Sequence, residues 1–246
     1  MHRYQILIEY VGTNFIGWQI QTKGQSVQKL IQIKISKLLK EKINLVAAGR
    51  LDKGVHAIEQ SAHFDCKKKI ENLSKFLQSI NYFLNIKLVS IINIKKKRLN
   101  FHARFSAKQR IYTYIIFNRI SRPSIEKNRG WHIRKKLNLK LMKKGAKKLL
   151  GTNDFSTFRS SSCNAKSPIR TMKSIKIKEV KNKIQIQFKS QSFLQQQVRS
   201  MVGCLKQVAE KRWSLKRFEK VFKSKKRSLC ATPAPAHGLF LEKVIY

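Results

Sequence analysis

Acidic residues are scarce in this chain: 12 Asp and Glu stand against 54 Lys and Arg, a formal charge of +42 over 246 residues. Aspartate occurs only at Asp52, Asp65 and Asp154, proline four times and cysteine four times. No apolar run approaches the roughly 20 residues that a membrane helix needs, and "MHRYQILIEYV" reaches Glu9 before a signal-peptide core can form. Membrane insertion and export are therefore not expected. Cys66, Cys163, Cys204 and Cys230 are scattered with no close pair in sequence, which predicts neither a zinc site nor a disulfide framework. They read as reduced, packing thiols of a cytoplasmic protein.

What the chain does have is enough apolar content, 42%, and enough length to bury a core, in one large domain or two small ones. Two lobes are expected, residues 1–118 and 131–246, joined through "RISRPSIEKNRG" at 119–130, where Pro123 and Gly130 punctuate the pattern. The positive charge attracts polyanions across a screening length of about 8 Å, which makes nucleic acid the leading partner. Abundant Lys, Ile and Asn also follow from an A- and T-rich genome, so the placement of charge carries more weight than its total. The runs at Lys67 to Lys69, Lys95 to Arg98 and Lys225 to Arg227 read as solvated faces.

Periodicity predicts a mixture of strands and helices. "RYQILIEYV" reads as a strand stopping at Gly12, and from an N-cap at Ser26 the residues Val27, Leu30, Ile31, Ile35, Leu38 and Leu39 fall at helical spacing. "INLVAA" reads as a strand into Gly49, and Gln60 to Asp65 as another. Further helices are predicted around Leu73 to Leu84, Met142 to Leu150 and Leu194 to Val208. Strands are expected in "IKLVSIINI", in "IYTYIIFN", in two segments after Pro168, and in "LFLEKVIY", with Leu239, Leu241 and Ile245 on one side of the last. A long loop is expected from Thr152 to Pro168. The class that fits is α+β, two lobes with antiparallel sheets.

Three clusters carry residues suited to chemistry. "AGRLDKGVHA" puts Asp52 on a loop between two strands, between Arg50 and Lys53 and bracketed by Gly49 and Gly54. Such a carboxylate fits two readings: a turn residue bonding its own backbone, or a nucleophile kept ionised by a neighbouring cation. "FHARFSAKQRIYTY" sets His102, Arg104, Lys108 and Arg110 among Phe101, Phe105, Tyr112 and Tyr114. That mixture suits stacking on extruded RNA bases, at about 1 to 3 kcal/mol each, and equally suits a strand with rings inward and cations outward. "SFLQQQVRSMVG" places Arg199 at the border of a helix's apolar stripe, where a guanidinium either holds a carboxylate or is solvated. His56 and His102 read as packed rings with satisfied nitrogens.

Six segments in order, "EYVGTNFIGWQIQ", "GRLDKGVHA", "FHARFSAKQRIYTY", "DFSTFR", "FLQQQVRSMVG" and "GLFLEKVIY", resemble the tRNA pseudouridine synthases of the TruA type, across almost the whole length. The resemblance implies isomerisation of uridine to pseudouridine in the anticodon stem-loop of tRNA, by a homodimer whose subunits each carry two ferredoxin-like lobes around a basic cleft. It implies no cofactor and no metal. By position, Asp52 matches the family's catalytic aspartate, Tyr112 the tyrosine that stacks on the target base, and Arg199 the arginine that pairs with the aspartate. Leu239 matches an apolar wall for the uracil and Arg50 an arginine that displaces the nucleotide or holds the RNA; Arg104 and Arg110, from the cluster of cations and rings, are expected as further RNA contacts. Three positions depart from the family pattern: Leu51 where threonine is usual, Lys53 where alanine is common, and Gln197 where methionine is common. The competing expectations are a tRNA-binding or tRNA-folding protein without turnover and a DNA-binding architectural protein.

Overall fold

The computed structural model describes residues 1–246. In chain order the elements are β1 (His2–Tyr10), α1 (Val27–Leu39), β2 (Val46–Ala47), β3 (His56–Cys66), α2 (Leu73–Leu84) and β4 (Val89–Lys97). Then follow β5 (Gln109–Asn118), β6 (Trp131–Ile133), α3 (Leu139–Lys147), β7 (Gly151–Asp154), β8 (Ile169–Val180) and β9 (Lys183–Ser190). The chain closes with α4 (Gln197–Ala209), α5 (Leu215–Lys223) and β10 (Leu239–Ile245). Two compact units result: Met1–Lys108 together with Phe240–Tyr246, and Gln109–Leu239. Residues 119–130 lie inside the second unit, and the last strand runs into the first.

In the first unit the strands lie in the order β4-β1-β3-β10. β1 runs antiparallel to both neighbours, with Ile6 opposite Ala62 on one side and Ile94 on the other. Strand alternation puts Tyr4, Ile6 and Ile8 on one face, and all three are buried. β10 joins β3 in parallel, Phe240 opposite His56 and Leu241 opposite Ala57. Helix α1 starts where the sequence predicts, because the Ser26 hydroxyl accepts from the Lys29 amide at 3.2 Å, a cap of the kind that contributes about 1 kcal/mol. It buries Val27, Leu30, Ile31 and Ile35. α2 is capped by Asn72 and ties itself to β4 through Asn81, whose side chain bonds both the amide and the carbonyl of Ile91.

The second unit orders its strands β5-β9-β8-β7, each pair antiparallel, with the short β6 parallel to β5. The alternation foreseen in β9 holds: Ile184, Ile186 and Phe188 are buried and lie opposite Ile116, Tyr114 and Tyr112. α4 is buried on nearly every face and takes α3 and α5 as neighbours, so it is a core helix rather than an amphipathic surface one. The α+β class is as expected.

Four local expectations change. Residues 151–154, read as the start of a long loop, form β7 because Thr152 pairs with Thr171 and their hydroxyls bond at 2.8 Å. "INLVAA" yields only the two residues of β2. α5 had no counterpart in the sequence reading, although Ser214 caps it through the Arg217 amide and Phe218, Val221 and Phe222 supply its buried face. In β10 the third buried residue is Val244, not Ile245, so the strict alternation slips after Leu241.

His63, which carried no signal in the sequence, is 4% exposed on β3, and its Nδ1 accepts from the Ala103 amide at 3.1 Å. Burial, then the nearby charges of Arg3 and His102, lowers its pKa to about 4 from 6.5. The folded protein thus keeps the ring neutral where the unfolded chain protonates it, unfolding takes up a proton, and this group costs stability progressively as pH falls from 6.5 to about 4. His63→Gln is expected to flatten the fall of the urea midpoint across that window. Parallel curves for variant and wild type would show that His63 does not set it.

Candidate active site

Two of the three aspartates hold local structure. Asp65 receives both nitrogens of the Arg3 fork, Nε and Nη2, each at 2.7 Å, and that guanidinium holds its carboxyl below the usual carboxylate range. Asp154 accepts from the Ser156 amide at 2.8 Å and faces Lys225 at 3.5 Å. Burial pushes its carboxyl up, but the Ser156 bonds and the Lys225 charge outweigh it and leave the pKa lowered.

Asp52 sits on the turn between β2 and β3, and the backbone of residues 12–18 is laid against that turn. Phe15 and Trp18 are both 2% exposed and pack on Tyr10, with ring centroids 6.4 and 6.1 Å away. Anchored by those rings, the Trp18 amide donates to the Leu51 carbonyl at 3.0 Å and the Gly12 amide to His56 Nδ1 at 3.1 Å. The contact is so close that a Cβ on Gly12 would stand 1.9 Å from the Val55 carbonyl oxygen. One on Gly17, whose φ is +120°, would stand 2.8 Å from that of Leu51. Both positions therefore require glycine. The turn closes on itself through Val55 N–H to the Asp52 carbonyl at 3.1 Å, with Gly54 at φ +80°. Its entry is fixed by Gln60 Nε2 to the Gly49 carbonyl at 2.8 Å and Ala48 N–H to Ser61 at 2.8 Å. Asp52 itself is half-buried, Arg50 and Lys53 are exposed. His56 is a buried, satisfied ring stacked on Phe240 at 4.7 Å, as its sequence context suggests.

The basic and aromatic segment after β4 is also braced. Arg3, besides binding Asp65, donates to the carbonyls of Leu99 and Phe101, and the Arg104 and Phe105 amides both approach His102 Nδ1, at 3.2 and 3.3 Å. The turn displays Phe105, 76% exposed, with the Arg104 guanidinium 5.5 Å from its ring centroid and the His102 ring at 4.4 Å. An exposed flat ring beside a guanidinium suits base stacking. In the sequence Phe105 is one of four rings in the cluster that suits base stacking, and only the structure sets it apart as the exposed one.

In the second unit Tyr112 and Tyr114 share one face of β5. Tyr112 is 7% exposed and meets Phe193 edge-on at 5.0 Å. Tyr114 is fully buried, donates its hydroxyl to the Pro235 carbonyl at 2.8 Å, and has its pKa driven well up by burial against the lowering effect of Arg199. Arg199, half-buried on α4, donates Nε to the Ala234 carbonyl at 2.8 Å, while the Ala234 amide returns to the Arg199 carbonyl at 2.9 Å. Arg110 donates to the Gln191 carbonyl, and Leu239 is buried at the start of β10. Of the residues singled out from sequence, Arg50, Asp52 and Arg104 lie in the first unit, and Arg110, Tyr112, Arg199 and Leu239 in the second.

The profile described as tRNA pseudouridine synthase matches residues 6–106 and 146–246. The chain belongs to the tRNA pseudouridine synthase family. It is 72% identical over 246 residues to a protein named tRNA pseudouridine synthase A from Pelagibacter ubique (strain HTCC1062), covering 100% of both chains. To a protein of the same name from Paramagnetospirillum magneticum (strain ATCC 700264 / AMB-1) it is 42% identical, covering 100% of this chain and 96% of that one. The structure places the three residues that depart from the pattern implied by the resemblance in different surroundings. Leu51 is 7% exposed. Lys53 is exposed on the turn. Gln197 is fully buried at the start of α4, where Oε1 accepts from the Leu194 amide at 2.8 Å and Nε2 has no hydrogen-bond partner.

If the 12–18 segment fixes the Asp52 turn, Gly12→Ala forces two backbones apart, an overpacking that typically costs about 1 to 3 kcal/mol. The expected outcome is a lower denaturant midpoint together with loss of activity larger than the fraction unfolded explains. Full activity in the folded variant would show that the turn tolerates displacement.

Proposed function

We propose that this synthase isomerises uridine to pseudouridine in the anticodon stem-loop of tRNA, with Asp52 as the catalytic carboxylate. Tyr112 stacks on the target base, Arg199 orients the aspartate, and Leu239 walls the uracil. The observation that carries the reading is the Asp52 turn: a short, stiff acid held by backbone bonds on both flanks, in a chain 72% identical over its full length to a named tRNA pseudouridine synthase A. Holding a reacting group rigidly before substrate arrives is what lets its charge act without reorganisation in the transition state.

The reaction breaks the bond between the ribose C1′ and uracil N1, turns the base while it is held, and joins C1′ to uracil C5; C5 then loses its proton and N1 takes one up, so the product is an isomer of the substrate. The carboxylate assists departure of the base. A ring already locked edge-on against Phe193 gives the detached uracil a fixed surface to stay on. Arg50, Arg104, Arg110 and the exposed Phe105 serve the RNA: cations meet phosphates and the ring meets a base. The family resemblance supports a homodimer, and four free thiols support a reducing, cytoplasmic setting.

The test uses tRNA transcribed with tritium at uridine C5. Wild type should release tritium, and Asp52→Asn should abolish release while tRNA affinity at one stated salt concentration stays within a few fold. Comparable loss of affinity would make Asp52 a structural residue, and tight binding without release by wild type would make the chain a tRNA-binding protein. Lys53→Ala should leave the turnover rate unchanged and lower the slope of log affinity against log salt by about one, as expected for a lost phosphate contact. A higher turnover rate would mean that Lys53 blunts the aspartate.

A further inference from the structure

The cysteines separated in sequence are not all separated in space. Cys204, in the middle of α4, lies with its sulfur 3.5 Å from that of Cys230, 26 residues later. Cys204 is fully buried, whereas Cys230 is half-buried, just past the short turn 227–229, whose Leu229 is 49% exposed. Bonded sulfurs stand about 2.05 Å apart, so closing this gap takes about 1.5 Å of movement, with no rearrangement of strands.

We propose that Cys204 and Cys230 form an oxidant-reactive dithiol that closes to an intramolecular disulfide on exposure to a hydroperoxide. The half-buried Cys230 is the attacking sulfur and Cys204 the resolving one. The two sulfurs share a hydrogen bond; that bond, with the Arg227 cation nearby, holds the Cys230 pKa below its usual value against the effect of burial, while the same bond and burial raise that of Cys204 against the Arg227 charge. A thiolate in a cationic, partly accessible place is the reactive kind. Arg227 is itself fixed by Nη1 to the Ser200 hydroxyl at 2.8 Å, on the same helix as Cys204.

The chemistry balances with hydrogen peroxide as the oxidant. The Cys230 thiolate attacks one peroxide oxygen, the O–O bond breaks, and the departing hydroxide takes up the thiol proton as water, leaving a sulfenic acid. The Cys204 thiol attacks that sulfur, the S–O bond breaks, the S–S bond forms, and a second water leaves. Two thiols are oxidised and one peroxide is reduced.

The bond would tie α4 to residues 230–234, a stretch already docked there by the Ala231 amide on the Cys204 sulfur at 3.4 Å and by the paired bonds between Ala234 and Arg199. Oxidation therefore fastens the segment that holds the Arg199 guanidinium. The inference stands on sulfur geometry and not on the proposed function.

The experiment treats the full-length protein with stoichiometric hydrogen peroxide, counts thiols after denaturation, and maps tryptic peptides with and without reductant. Titratable thiols should fall from four to two, with one reductant-sensitive peptide joining Cys204 and Cys230, and the melting temperature should rise. Cys230→Ser, at the less buried position, should lose no pair of thiols. The wild-type map decides the matter even if that variant folds poorly. Four surviving thiols, links between chains, oxidation centred on Cys66 or Cys163, or a sulfinic acid at Cys230 without a link would each overturn the proposal.

Discussion

The backbone of residues 12–18 pressed against the turn 51–55 is the constraint on which the rest of the account depends. Asp52 has a short side chain, so its carboxylate can be no better placed than the main chain that bears it. That main chain is bonded on both flanks, through the Leu51 carbonyl to Trp18 and through Gly49 to Gln60. The clamp is in turn held by Phe15 and Trp18 packed on Tyr10. Glycine at 12 and 17 is what lets two backbones touch at the distances seen. The chain of cause thus runs from two apolar rings, through two missing side chains, to one carboxylate.

A parallel logic holds in the second unit, where a cation rather than an acid is being fixed. Arg199 is bonded by side chain and backbone to Ala234. The next residue, Pro235, accepts the hydroxyl of Tyr114, whose ring is buried on the strand face it shares with Tyr112. Carbonyls of a proline-containing loop therefore act as fixed acceptors for a guanidinium and a phenol that would otherwise lose hydrogen bonds on burial. Proline suits that place because it offers a carbonyl while stiffening the loop.

Much of this was legible in the sequence because local rules and tertiary needs agree. Ser26 before Val27, Leu30 and Ile31 is a cap followed by a buried stripe, and the helix begins there. Ile184, Ile186 and Phe188 alternate because β9 has one buried face. What failed to show depends on partners distant in sequence. β7 is strand only because β8 lies beside it. Cys204 and Cys230 meet only because α4 and the segment after α5 pack together, and no spacing rule for cysteines encodes that. His63 looked ordinary because its lowered pKa comes from burial, Arg3 and His102. The Asp52 motif was visible as a pattern, yet the reason for Gly12 and Gly17 became clear only with Leu51 and Val55 opposite them. α5 does carry local signals, a cap at Ser214 and a buried stripe of Phe218, Val221 and Phe222, in a short segment otherwise made mostly of charged residues.

The most direct test of the clamp is native-state hydrogen exchange of the Trp18, Ala48 and Val55 amides, which bond the Leu51, Ser61 and Asp52 carbonyls. If the turn is held as described, these amides open only with the β1–β3 ladder and exchange as slowly as it does. Exchange orders of magnitude faster than that ladder, in the folded protein without RNA, would show a turn that is loose until substrate arrives and would contradict a pre-set carboxylate.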